Sequence, residues 1–158
     1  MFKKIALGLL IILIVAQFFQ PPRNKSSATS ANDITRFVPV QDSVMQLLKI
    51  ACYDCHSNNT RYPWYSNVTP VNWWLNNHIK EGKRHLNFSE FTGSYRRKMR
   101  KLEESAELTE KHEMPLSSYL WIHMDARLND EQRKLIINWA NTSRQQLMHD
   151  SISKASIQ

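Results

Sequence analysis

The sequence predicts an all-α fold, and three observations carry that expectation. Apolar residues after position 40 recur at helical spacing. No run alternates long enough to argue for a sheet, and only three glycines punctuate 158 residues. The length suits one compact domain, and no internal repeat subdivides it.

The N-terminus reads as an export element. Met1-Phe2-Lys3-Lys4 is basic, and Ile5 to Phe19 is an apolar run relieved only by Gly8 and Gln17. Residues 1–22 are expected to form a membrane anchor helix, with a cleaved signal peptide as the alternative. Lys3 and Lys4 stay inside, so the remaining chain lies in the periplasm, on the outer face of the inner membrane. Pro21-Pro22 and the polar stretch that follows open a linker expected over 23–39.

The first domain helix starts near Ser43, where Ser43 and Gln46 have capping-box spacing. Its stripe is Val44, Leu47, Leu48, Ala51, Cys52, Cys55. A second helix takes Thr69 as N-cap, Pro70 as first residue and Gly82 as stop, with Val71, Trp74, Leu75, His78 and Ile79 inward. A third follows Ser94, with Tyr95, Met99, Leu102 and Ala106 inward. A last opens at Asn129, with Asp130 and Glu131 suiting the helix dipole and Leu135, Ile136 and Trp139 facing in. Met114-Pro115 lies in the loop between these two. The domain is expected over 40–147 and a flexible tail over 148–158.

Charge argues against nucleic acid as a partner. The formal net charge is +7, but four of the 21 basic residues (Lys3, Lys4, Arg23, Lys25) precede residue 33 and no acidic residue does, so the domain carries 17 minus 14, or +3. The run Arg96-Arg97-Lys98 with Arg100-Lys101 is followed by Glu103, Glu104 and Glu107, as on a solvated helix face.

Cys52-Tyr53-Asp54-Cys55-His56 is the C-x-x-C-H pattern of covalent haem attachment. Residues three apart on a helix share a face, so both sulfurs reach the two vinyl groups of one porphyrin. The adjacent His56 turns under the iron as proximal ligand. A thioredoxin-like pair needs a βαβ context that is absent here. A zinc site needs further cysteines or histidines at their own spacing, and the chain has no third cysteine. A disulfide within one helical turn would be strained.

The sixth ligand decides what such an iron does. Met114 leads, since a thioether aimed from a Met-Pro loop raises the potential and suits electron transfer. His78, on the apolar stripe of the second helix, is its rival, with His112, His123 and Met124 behind. His85 and His149 sit in polar surroundings and read as solvated. The cluster Trp64, Tyr65, Trp73, Trp74 reads as the pocket wall.

Cys52-x-x-Cys55-His56, Met114-Pro115 and the last helix with Trp139 resemble class I cytochromes c. More closely, Cys55-His56-Ser57-Asn58, Tyr62-Pro63-Trp64-Tyr65-Ser66, Pro70-Val71-x-Trp73-Trp74, His78-Ile79-x-Glu81-Gly82 and Leu86-Asn87-Phe88-Ser89 are similar to the bacterial haem-binding domain family, over roughly residues 40–142. The resemblance implies a cytochrome c-like helical domain wrapped around one covalent haem, held by Cys52, Cys55 and His56, with Met114 distal. Against class I cytochromes, the first helix lacks the glycine–aromatic packing pair and residues 63–88 have no counterpart. The expected activity is single-electron transfer with redox partner proteins, not catalysis. The alternative is a gas or redox sensor, or a peroxidase-type enzyme, with an open sixth position.

Overall fold

In a computed structural model, which describes residues 1–26 and 28–156, the elements are α-helices and short 3₁₀ turns, with no strand among the described residues. Helix α1 covers Phe2–Ala16, fifteen residues with none buried. At roughly 1.5 Å per residue it is about 22 Å long, short of the roughly 30 Å of a bilayer's hydrocarbon core. Among the described residues no helix is long and apolar enough to cross a membrane, so the expected spanning anchor is not supported. The helix ends at Gln17 because that side chain turns to the domain. Its Nε2 donates to the Thr69 carbonyl at 3.1 Å, and its Oε1 accepts from Thr69 N–H at 2.9 Å.

Residues expected in a linker belong to the core. A 3₁₀ turn at Ile34–Arg36, capped by Asp33, buries Ile34 completely and leads to the buried Val38. The Trp139 indole donates to the Pro39 carbonyl at 3.0 Å. Ordered structure therefore starts well before position 40.

The domain proper is built from α2 (Asp42–Ala51), α3 (Tyr53–His56), α4 (Val71–His85), α5 (Tyr95–Glu110), α6 (Ser117–Leu120) and α7 (Asp130–Ala155). Helices α5 and α7 form the main packed pair, and α4 lies against α3. The core joins Ile34, Val44, Leu48, Phe88, Leu102, Ile136, Trp139 and Leu147. Burial of side chains this size contributes about 1.5–3 kcal/mol each.

The caps account for several boundaries. Ser94 accepts from Arg97 N–H at 3.3 Å and starts α5. Asn129 and Gln132 form a reciprocal capping box that starts α7. Two expected caps differ. α2 begins at Asp42 after Gln41, without the Ser43 box, and α4 begins at Val71 after Pro70, with Thr69 instead accepting from Asn72. α7 runs on to Ala155, so most of the expected tail is helical, because Leu147 is buried one turn past Ser143. Leu135, expected inward, is 43% exposed, and Ala140 takes the core position.

Gly82 does not stop α4, which continues to His85. It stands where α4 crosses the segment after Cys52. A Cβ there would lie 2.6 Å from the Cys55 carbonyl oxygen. The glycine is used for close approach, which helical periodicity cannot show.

Candidate functional site

Cys52 stands at a break between α2 and α3. Its N–H still donates to the Leu48 carbonyl at 2.9 Å, but its backbone leaves helical values at φ −124°. Its own carbonyl accepts from His56 N–H at 2.9 Å, opening the short turn that carries Cys55 and His56. Cys52 therefore sits at the kink and Cys55 in the turn after it; they do not ride one straight helix.

Both are part-buried free thiols. Burial pushes Cys52 up to about 12, with Cys55 beside it adding to the effect, and pushes Cys55 up to about 11, with the Asp54 charge adding. At neutral pH both stay protonated, as neutral sulfur in an apolar wall. That is the reverse of the low-pKa thiolate a redox pair requires.

His56 is oriented by the end of α4. Its Nδ1 lies 2.9 Å from the Leu86 carbonyl oxygen. A carbonyl only accepts, so Nδ1 carries the proton and Nε2 keeps its lone pair free, the state in which an imidazole ligates a metal. Burial lowers the pKa of His56 and outweighs the backbone hydrogen bonds that raise it, so the ring is neutral.

The string Leu86-Asn87-Phe88-Ser89 fastens this turn. Asn87 donates to Asn58 Oδ1 at 2.9 Å, and Ser89 Oγ accepts from Asn58 N–H at 3.1 Å. Phe88 stacks on Tyr53 with ring centroids 5.2 Å apart and meets the edge of His56 at 6.4 Å.

Asp54, inside the motif, is 5% exposed. It accepts from Arg61 N–H at 2.9 Å and from the Tyr119 hydroxyl at 2.7 Å, and pairs with the Arg61 guanidinium at 3.3 Å. Burial, reinforced by this carboxylate, drives the Tyr119 phenol pKa upward. The anion is thus satisfied by charged and neutral donors, as a buried carboxylate must be.

Above the turn lies a cavity of about 390 Å³ with a mostly apolar lining. Cys52, Cys55 and His56 line it, α4 adds His78 and Gly82, and α5 adds Leu108 and Thr109. Met114, Pro115 and Leu116 come from the loop before α6, and Ile136 and Trp139 come from α7. The structure thus brings Cys52, Cys55, His56, His78 and Met114 to one cavity.

Trp64 and Trp74 are outside its lining: they are 78% and 49% exposed. Helical spacing gave Trp74 the same face as His78, but the ring lies over the imidazole at 4.1 Å on the solvent side. Trp73 is likewise half-exposed, and its indole donates to the Phe19 carbonyl at 2.8 Å. His85 is exposed, as expected, and stands at the cavity rim because α4 continues past Gly82. His112 has a positive φ of 59° in the turn ending α5. His123 stacks on Tyr119 at 4.1 Å and its Nε2 meets the Tyr65 hydroxyl at 2.5 Å.

Residue-by-residue reading passed over Asp54, Tyr119 and Lys101, which also line the cavity. Lys101, 13% exposed, pairs with Glu104 at 2.6 Å. Only its position on the α5 stripe next to Leu102 hinted at this. Among the described residues no group of three or more His, Cys, Asp or Glu side chains could hold a metal ion. The donor set instead fits a metal that arrives in its own macrocycle. It offers two neutral thiols, the imidazoles of His56 and His78, each with Nδ1 on a backbone carbonyl at 2.9 Å, and a thioether, set in a mostly apolar lining.

A family model described as a haem-binding domain matches residues 11–142, most of the chain. No curated protein and no solved structure matches. The chain belongs to the haem-binding domain family.

Proposed function

We propose that this member of the haem-binding domain family is a mono-haem c-type cytochrome that passes single electrons between partner proteins. It would act in the periplasm, at the outer face of the cytoplasmic membrane. The observation that carries this reading is the convergence of both free thiols, the Nε2-free His56 and Met114 on one mostly apolar cavity. The basic, apolar N-terminus supports export.

Cys52 and Cys55 would each add S–H across one vinyl C=C. The two side chains would thereby hold the group through thioether bonds, an addition that calls for no net oxidant. Haem supplies a one-electron ferric/ferrous couple when bound. His56 would give Nε2 to the iron while its Nδ1–H donation to Leu86 fixes the ring plane and raises ligand basicity.

Met114 is the better distal donor. Helix α4 packs directly on the Cys55 turn through Gly82 and fixes His56 at its end. His78 is one turn before Gly82 on that same helix, the helix that already holds His56. Met114 comes from the loop between α5 and α6, beside the wall made by α5 and α7. The mostly apolar lining would keep water from a bound haem. The part-exposed pair Tyr119–His123, stacked at 4.1 Å, leads from the cavity towards Tyr65 and the exposed Trp64.

The test is spectroscopic, on full-length protein made with cytochrome c maturation machinery. Denatured protein should carry the mass of one haem. The ferric protein should be low-spin with a weak far-red thioether band that Met114→Ala abolishes. If His78→Ala abolishes low-spin character while Met114→Ala does not, the distal assignment passes to His78. A high-spin iron that binds carbon monoxide freely would replace the carrier reading with a sensor or peroxidase-type one.

A further inference from the structure

We infer that Arg133 is the positioning residue for Met114: it clamps the loop that presents the thioether and thereby sets how firmly that sulfur holds its place. The inference rests on the distal role proposed for Met114. Arg133 Nη1 donates to the Met114 carbonyl at 3.3 Å and to the Thr109 carbonyl at 3.1 Å. One nitrogen therefore ties the end of α5 to the residue five positions later, bridging the turn between them.

Three further features make this a clamp and not a chance surface contact. The turn is already closed from within, since the Leu108 carbonyl accepts from both Glu113 N–H (3.0 Å) and Met114 N–H (3.1 Å). Leu108's acceptor is thereby used, and the Thr109 carbonyl accepts from His112 N–H at 3.3 Å as well as from Arg133, whereas the Met114 carbonyl has Arg133 as its donor. Arg133 is also held from below: it follows the Asn129–Gln132 capping box, so the helix start that orients it is fixed at 2.8 and 2.9 Å. Finally, Arg133 Nε is buried without a partner. A buried unpaired donor is costly, and this one is tolerated beside the two bonds that Nη1 makes to the loop.

A guanidinium suits the task better than an ammonium. It is planar, always charged and loses less freedom per bond formed, and bonds from a charged donor are the stronger kind. The charge does not face an acidic partner among the described ion pairs. Its bonds go to carbonyl oxygens alone, so it serves to hold backbone.

The test uses full-length holoprotein with Arg133→Gln and Arg133→Lys, beside wild type. Imidazole is titrated in as a competitor for the distal position, and the far-red band is followed against urea. Arg133→Gln should keep the attached-haem mass and the His56-ligated iron, yet bind imidazole about tenfold more tightly, the size expected from losing a charged hydrogen bond. Its far-red band should disappear at a lower urea concentration than its helical signal does, and Arg133→Lys should recover part of both effects. Unchanged imidazole affinity, with band and helix lost together as in wild type, would overturn the inference and leave Arg133 a plain structural residue. A wild-type spectrum indifferent to Met114→Ala would instead sink the ligand reading beneath it, a failure visible before any Arg133 variant is made.

Discussion

Gly82→Ala makes the sharpest test of how the cavity is built. In an ordinary helix interior this change stabilises by about 1 kcal/mol, because alanine loses less backbone entropy. Here the added methyl would lie 2.6 Å from the Cys55 carbonyl oxygen and 3.1 Å from its carbonyl carbon and Cβ. Those are backbone and near-backbone atoms that no rotamer change can move aside. Helix α4 must shift off the turn by several tenths of an ångström, and overpacking of this kind costs roughly 1–3 kcal/mol. The propensity gain offsets part of that, so the expected stabilisation disappears and a net loss of up to about 2 kcal/mol takes its place. The shift also carries Leu86 away from His56 Nδ1. Urea unfolding of the apoprotein, followed by circular dichroism, reads the stability, and the yield of haem-bearing protein reads the site. A variant as stable as wild type or more so, with full haem yield, would refute the close crossing of α4 over Cys55.

Other outcomes follow from the same geometry. Tyr119→Phe should destabilise the apoprotein by about 1–2 kcal/mol in a urea titration, because it leaves Asp54 short of a donor. The folded apoprotein's thiols should react with iodoacetamide at pH 8 at least roughly 100-fold more slowly than in denatured chain, since raising a pKa from 9.0 to about 11 or 12 removes that much thiolate. The pH dependence has two limbs. His56 is lowered from 6.5, so the unfolded chain binds more protons and apoprotein stability should fall as pH drops below 6.5. The thiols are raised from 9.0, so stability should fall again as pH climbs above 9. Trp64→Ser should leave the haem spectrum unchanged, whereas Trp139→Ala should cost about 3–5 kcal/mol and disturb it, as only Trp139 is buried and in the lining.

Membership of the haem-binding domain family was legible in the chain because its signature is local. Two cysteines three apart with a histidine after them, which the structure brings to one cavity, are recognisable at any position in a helical fold. The stripes of α5 and the Asn129 cap of α7 were equally plain, since capping and amphipathicity are decided by residues within four positions of one another. What the sequence could not disclose depends on distances between segments far apart in it. Gly82 read as a stop and is a crossing point; residues 34–38 read as linker and are core. Trp74 shared a face with His78 by periodicity, yet which part of that face meets the cavity was settled by how α4 tilts over Cys55. Periodicity says that a face exists, and packing alone says what covers it. The reach of Arg133 to Met114 across α7 and the turn after α5 belongs to that second kind, because a hydrogen bond to a backbone carbonyl leaves no mark on the acceptor's side chain.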